Sequence, residues 1–390
     1  MNEWTSRLVV VPSDPISAYE NAGYGDWLKD YYNPCHFFDE VYALSPLEKG
    51  ERTAHGMTII GVDESDFTDW LRRLQPHVVR GYGGYWASDL VCSRRLSNIP
   101  VVVSVHDTNP ANIHKSVCYA DLLICMTHAV ADQVRARGAH PKRIRVMPNR
   151  VDRSIFFPRK DEQFISEFNQ RFPQKKRILH VGRKSKQKNL ETVIGALAQL
   201  PDDYCAIFIG RGNADPYRQI ASEFKVSDRC YWIESVKSSD LPHWYSACDC
   251  MCTPSLWEGF GIVFIEAAAC GAPIITSDIA PMNEYLSNNI SASLVTNFQD
   301  PIELSRVIRK VCEDSFYRTA ISVGAQEIAV RFDKGKIDEQ ESQIYGEVID
   351  NMRQTLSRRF SINIWRGQYF VRAGFGEILS TPVALLKGKQ

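Results

Sequence analysis

The sequence predicts an α/β fold built as two doubly wound parallel-sheet domains that face each other. Three observations carry that expectation. Short apolar runs alternate with helix-like segments along most of the chain, the pattern of a parallel sheet covered on both faces. The alternation lapses over residues 152–173, a charged link containing Pro with apolar anchors at Phe156 and Phe157, and then restarts. Chemistry-bearing motifs stand where strand-like runs end, and doubly wound sheets bind ligands beyond the carboxyl ends of their strands.

Taken in order, residues 8–12 read as the first strand, followed by a glycine-bearing segment that contains Gly23. Further strands are expected at 78–81, 101–105, 122–126 and 144–148, with helices at 85–96 and 129–137. The second series places strands at 178–181, 206–209, 230–233, 248–254 and 273–277. Helices at 190–200, 215–224 and 241–247, and one that ends at Gly271, lie between them. The expected domain limits are 1–160 and 161–357.

With 390 residues the chain can bury a sizeable core in each of two domains. Lys plus Arg and Asp plus Glu both number 46, so the formal charge is zero and no nucleic-acid partner is expected. Residues 1–12 show no secretory signal, and no apolar stretch approaches the roughly 20 residues of a membrane span. The 11 cysteines lie largely in apolar runs, which suits reduced thiols and a cytoplasmic location. Cys248, Cys250 and Cys252 alternate as on one face of a strand and lack zinc-site spacing, so they read as buried thiols.

The most informative stretch is Pro-Ser-Leu-Trp-Glu-Gly-Phe-Gly, residues 254–261, leading into a helix that carries Glu266. Glu258 is expected at a strand exit, Gly259 and Gly261 at a helix start, and Glu266 within that helix. Such a loop suits a polar, anionic ligand. Gly182-Arg183-x4-Lys188 closes another strand. Arg183 offers a planar fork to phosphate oxygens, Lys188 a point charge, and the following helix its N-terminal field. Gly210 at a third strand exit, and Gly23 in the first domain, read either as ordinary tight turns or as places where a ligand approaches the backbone closely. His106, after strand 101–105, reads either as a satisfied structural residue or as a group that faces a sugar site.

These residues resemble the family 4 retaining glycosyltransferases. The likeness rests on Gly-Arg-x4-Lys-Asn, on Pro-Ser-Leu-Trp-Glu-Gly-Phe-Gly-x4-Glu-Ala, and on Cys-Gly-Ala-Pro-Ile-Ile-Thr-Ser-Asp, within residues 178–304. His106-Asp107 and Pro-Asn-Arg-Val-Asp at 148–152 extend it more weakly toward the N-terminus. The resemblance implies the GT-B fold, two Rossmann-like domains with the active site in the cleft between them. It also implies an acceptor-side first domain, rejoined by a C-terminal crossover over 358–390, and a donor-binding second domain. Glu258 would contact donor sugar hydroxyls, helped by the amides of Gly259, Phe260 and Gly261. Glu266 would take the ribose hydroxyls, Arg183 and Lys188 the diphosphate, and His106 would sit near the transferred sugar. Ser235 and Val236 stand where the family contacts the base. Arg150 replaces the usual glycine of its loop, which implies an altered loop shape or an extra anion contact. Ala22-Gly23 stands where many members have a glycine pair.

The implied function is retaining transfer of a hexose-type sugar from a UDP-, GDP- or ADP-sugar to a hydroxyl on a glycan, a lipid-linked sugar or a small molecule. Arg183 and Lys188 are expected to stand in for a metal, and no cofactor is expected. A nucleotide-sugar epimerase or hydrolase, or a non-catalytic nucleotide-sugar-binding protein, remains the alternative. Residues 353–390 carry seven Arg or Lys and one Glu, interleaved with aromatic residues. This tail reads either as a helix packed back on the first domain or as a surface for anionic lipid at the inner face of the membrane.

Overall fold

A computed structural model describes residues 5–21 and 23–355. Its first sheet has eight strands: β1 (Arg7–Val11), β2 (Glu40–Ser45), β3 (Glu51–Ala54), β4 (Met57–Gly61), β5 (Val78–Tyr82), β6 (Val101–Val105), β7 (Leu122–Cys125) and β8 (Ile144–Val146). Their spatial order is β3-β4-β2-β1-β5-β6-β7-β8. All neighbours run parallel except the edge pair β3 and β4. The second sheet holds β9 (Lys176–Val181), β10 (Tyr204–Ile209), β11 (Cys230–Ile233), β12 (Cys250–Thr253), β13 (Ile274–Ser277) and β14 (Ser293–Val295). It is parallel throughout, in the order β11-β10-β9-β12-β13-β14.

Both sheets are doubly wound, as expected. In each, the first strand of the series pairs with the second on one side and with a later strand on the other. Leu8 pairs across to Val78, and Ile178 to Cys250. These two places, β1 beside β5 and β9 beside β12, are where the strand order reverses and where ligands bind such sheets. Central strands such as β1, β6 and β10 are buried almost end to end, which is why their sequences are apolar rather than alternating.

Several elements lay outside the sequence reading. β3 is polar and half exposed, so it carries no strand signal of its own. It turns back on β4 through His55 and Gly56, both at positive φ. The link after Phe157 contains a helix, Glu162–Arg171, whose N-cap is the Asp161 side chain accepting from Phe164 N. Cys248 departs from the expected strand: it ends the helix Leu241–Ala247, its thiol donating to Tyr245 O. Cys250 and Cys252 do share a buried face of β12, and the Cys250 sulfur lies 3.9 Å from that of Cys312.

After the long helix Ser315–Arg331, a further helix over 334–355 returns to the first sheet. Tyr345 packs edge-on against Phe38, and Ser342 Oγ donates to Pro34 O. Arg80 on β5 meets Glu341 and Tyr345, and Arg150 meets Asp338 and Glu341, all of them buried. The expected crossover at 358–390 and most of the basic tail lie outside the described residues. Among the described residues no helix is long and apolar enough to cross a membrane.

Candidate functional site

The chain leaves β9 at Gly182 and turns through a short 3-10 segment, Lys186–Lys188, to Asn189 in the left-handed region. Asn189 Nδ2 donates to Pro254 O (3.0 Å) and to Phe298 O (3.2 Å). That side chain ties the loop after β9 to the loop after β12 and brings the Lys188 ammonium onto the Glu258 carboxylate in an ion pair. Lys188 is 9% exposed and Glu258 5%. A buried pair holds only when its remaining valences are met. Ser255 Oγ donates to Glu258 Oε1 at 2.7 Å, and Gln187 Nε2 donates to Trp257 O at 2.9 Å. Arg183 stays exposed one turn away, its guanidinium reaching Gln187 Oε1 at 3.3 Å. The sequence-predicted cations and carboxylate therefore share one site.

Gly210 supports this arrangement from beneath. A Cβ there would stand 2.0 Å from Gly182 O, so the glycine lets the exits of β9 and β10 meet backbone to backbone. Lys184 joins the same corner from below: its ammonium bonds Gly210 O and Ile233 O, and burial pushes its pKa down. Ser235 is exposed just beyond β11, while Val236 is half-buried against the core.

Glu266 is buried as well, on the helix Ile262–Ala269, whose other residues are all apolar. Its carboxyl is 7% exposed and accepts from Tyr245 Oη at 3.2 Å. Burial drives its pKa up to about 7, against which the Tyr245 bond works weakly. Its partner differs from those of Glu258, which pairs with Lys188 and Ser255. From the first domain, Tyr24, next to Gly23, stands within electrostatic reach of Glu266.

The two domains meet at the carboxylate loop. His106 O lies where a Cβ on Gly259 would be, 1.6 Å from it, so only glycine allows this contact. His106 is half-buried, its buried Nε2 has no hydrogen-bond partner among the described residues, and Tyr82 lies edge-on at 6.2 Å. Burial, with the Arg80 charge nearby, lowers its pKa to about 4, so the imidazole is neutral at physiological pH. Thr108 Oγ1 donates to Glu258 O (2.9 Å), and Thr127 Oγ1 donates to Gly259 O (3.1 Å). Phe260 stacks on Tyr285, whose hydroxyl donates to Phe260 O (2.6 Å). Gly261, at φ 82°, opens the helix that bears Glu266. Among the described residues no partner is found for the amide N–H groups of Gly259, Phe260 and Gly261.

Gly23 lies at positive φ with open space around its Cα, close to Asn21, whose carbonyl accepts from Arg211 of the second domain at 3.2 Å. Arg150 is not at the cleft surface: it is spent on the buried pairs with Asp338 and Glu341. Among the described residues no group of three or more His, Cys, Asp or Glu could hold a metal ion. Sequence reading passed over Ser255, Gln187, Tyr245, Thr108, Thr127 and Tyr285. Ser255 lies three residues before Glu258 and was visible in principle. The threonines and tyrosines meet the loop only through tertiary contacts.

Two doubly wound domains with their charged loops at facing strand exits define the GT-B class. Solved structures agree on the fold. The Anabaena protein Alr3699/HepE, in complex with UDP and glucose, superposes with a TM-score of 0.72 at 20% identity, covering 88% of this chain and 100% of that one. Sucrose-phosphate synthase from Thermosynechococcus elongatus gives 0.73 at 16% identity, covering 88% and 100%. A family model described as glycosyl transferases group 1 matches residues 161–327, and one described as glycosyltransferase family 4 matches residues 61–155. Both domains thus match glycosyltransferase models, the first that of family 4 and the second that of group 1. Similar curated proteins include a D-inositol 3-phosphate glycosyltransferase from Salinispora tropica, 27% identical over 260 residues, 62% of this chain and 54% of the relative. Another, from Mycobacterium marinum, is 31% identical over 183 residues, 45% of this chain and 39% of the relative. The chain matches about half the length of the first of these relatives and 39% of the second.

Proposed function

We propose that this protein moves a hexose-type sugar from a nucleotide-diphospho-sugar to an acceptor hydroxyl, with retention at the anomeric carbon and without a metal. The observation that carries the reading is the buried Lys188–Glu258 pair beside Arg183, at strand exits that face His106. The second domain, 161–357, holds the donor and the first, 1–160, the acceptor. The donor is a UDP-, GDP- or ADP-sugar. The Anabaena neighbour's complex with UDP-glucose makes the uridine form the first to test. A glycan, a lipid-linked sugar or a small molecule accepts. The relatives' names put a phosphorylated polyol first among small molecules.

In the reaction proposed, the bond between the anomeric carbon and the diphosphate oxygen breaks as an oxocarbenium-like centre forms. Lys188 and Arg183 stabilise the charge that grows on the leaving diphosphate, fixed there before it develops. This electrostatic role stands in for a divalent ion. Glu258 orients the sugar through its hydroxyls, and the amides of Gly259, Phe260 and Gly261 face the donor. Glu266 accepts from the ribose hydroxyls, and Ser235 and Val236 border the base with Gly210 and Gly182 beneath. The acceptor hydroxyl attacks from the face the diphosphate leaves, and a phosphate oxygen takes its proton. His106, neutral at working pH, hydrogen-bonds the sugar rather than transferring a proton. The protein works in the cytoplasm, and the basic tail is proposed to bring it to anionic membrane.

Thermal denaturation with a panel of nucleoside diphosphates and their sugars tests the donor site. A ligand at about 100 times its Kd adds about 2.7 kcal/mol to the folded state. One base is expected to raise Tm in wild type and to lose most of that shift in Lys188→Ala. A panel in which no nucleoside diphosphate raises Tm would contradict the reading.

A further inference from the structure

Three successive carbonyls of the carboxylate loop each accept from a hydroxyl. Thr108 serves Glu258 O, Thr127 serves Gly259 O, and Tyr285 serves Phe260 O, at 2.9, 3.1 and 2.6 Å. Within a trans peptide unit the carbonyl of one residue and the N–H of the next point in opposite directions. Fixing those three oxygens therefore fixes the direction of three N–H groups, those of Gly259, Phe260 and Gly261. These are the amides for which no partner is found among the described residues. Two of the three hydroxyls belong to the other domain.

A carboxylate holds that domain in place. Glu284, on the turn Met282–Tyr285, accepts from His128 N and Ala129 N, each at 2.7 Å. These are the first two amides of the helix His128–Ala136. Thr127 caps the same helix, its Oγ1 accepting from Val130 N, and its carbonyl takes Ala131 N. Ala131 N makes the first bond within the helix, and three of the amides that its start leaves open are met, two of them by the second domain. The negative charge also sits at the positive end of the helix dipole. Glu284 and Tyr285 are neighbours, so one turn of chain grips both the loop and the opposite domain.

We propose that Thr108 and Thr127 are positioning residues for the donor loop and that Glu284 is the clasp that delivers them. The amide array is then complete only when the domains are closed. The role in transfer rests on the function proposed above; the clasp itself does not.

Hydrogen exchange on the ligand-free full chain reads the clasp without any substrate. In Glu284→Ala, exchange is expected to rise about tenfold or more over 128–130, whose first two amides the carboxylate holds, with β1 and β9 unchanged as a check on global unfolding. Unchanged exchange over 128–130 would overturn the clasp whatever the activity. Kinetics with a nucleotide sugar that wild type transfers reads the positioning. Thr108→Val is expected to lower kcat about tenfold with the donor KM within about twofold, since misplaced binding groups cost rate. Thr108→Ser, which keeps the hydroxyl, is expected to stay near wild type. Equal kcat for Thr108→Val and wild type, or no rescue by Ser, would overturn it. If wild type transfers no nucleotide sugar at all, the functional reading fails, while the exchange result still decides the clasp.

Discussion

Lys188 and Glu258 lie buried against each other as an ion pair. Lys188→Met removes the cation and leaves a buried carboxylate supported only by Ser255 and Gln187. Transfer is expected to fall about 100-fold or more, the loss seen when one preorganised electrostatic group is removed; steady-state kcat checks it. Glu266 makes a different prediction. Its carboxyl titrates near 7 when folded, above its ordinary 4.5, because burial beside Tyr245 penalises the charged form. A raised carboxyl pKa means the stability it permits is fully present below pH 4.5 and is lost as pH rises through 7. Glu266→Gln is therefore expected to be neutral in stability near pH 4 and to gain on the order of 2–3 kcal/mol over wild type by pH 8. Urea denaturation at the two pH values measures the difference. The same titration predicts that nucleotide affinity in wild type strengthens as pH rises through 7, when the carboxylate becomes available to ribose hydroxyls. These residue types and their spacing were legible in the sequence. The shifted pKa was not, since it follows from apolar neighbours on the helix Ile262–Ala269 and from Tyr245 on another element.

The elements that hold the site are strand exits, and two glycines decide how closely they approach. A Cβ on Gly259 would stand 1.6 Å from His106 O, and one on Gly210 would stand 2.0 Å from Gly182 O. Both obstacles are backbone atoms and cannot swing aside. Gly210→Ala is expected to cost more than about 2 kcal/mol of stability through the strained corner. Gly259→Ala is expected to keep the stability of each domain while holding them apart. Small-angle scattering would then show a larger radius of gyration than wild type. The apolar runs made five of the six strands of the second sheet legible to within two residues at their ends, since buried parallel strands are nearly uniform in composition, while the three-residue β14 was not read. β3 and the helix Glu162–Arg171 were not, because their stability comes from a neighbouring strand and from a cap. The glycines were read as tight turns or as room for a ligand. At Gly259 and Gly210 the space is filled by the protein's own backbone, which no local pattern reports.

At the scale of the whole molecule, the helix over 334–355 straps the chain back to the first sheet through buried charges. Arg80 and Arg150 face Glu341 and Asp338, with Lys334 bonded to Asp338 and Asp30 at 3.1 and 2.9 Å. Arg80→Ala leaves Glu341, fully buried, without one of its two cations. A loss of about 3–5 kcal/mol is expected in denaturant unfolding, the range for breaking a buried pair. Arg150 looked in the sequence like a departure from its loop pattern. Its carboxylate partner Asp338 lies 188 residues along the chain, which is why its role could be seen only in the fold. The most direct test of sugar transfer follows the anomeric proton of a nucleotide-diphospho-sugar by NMR, with and without an acceptor hydroxyl. The expected result is a product that keeps the donor's anomeric configuration, formed only when acceptor is present and lost in Lys188→Met. Donor breakdown at the same rate without acceptor, or a product of inverted configuration, would contradict it.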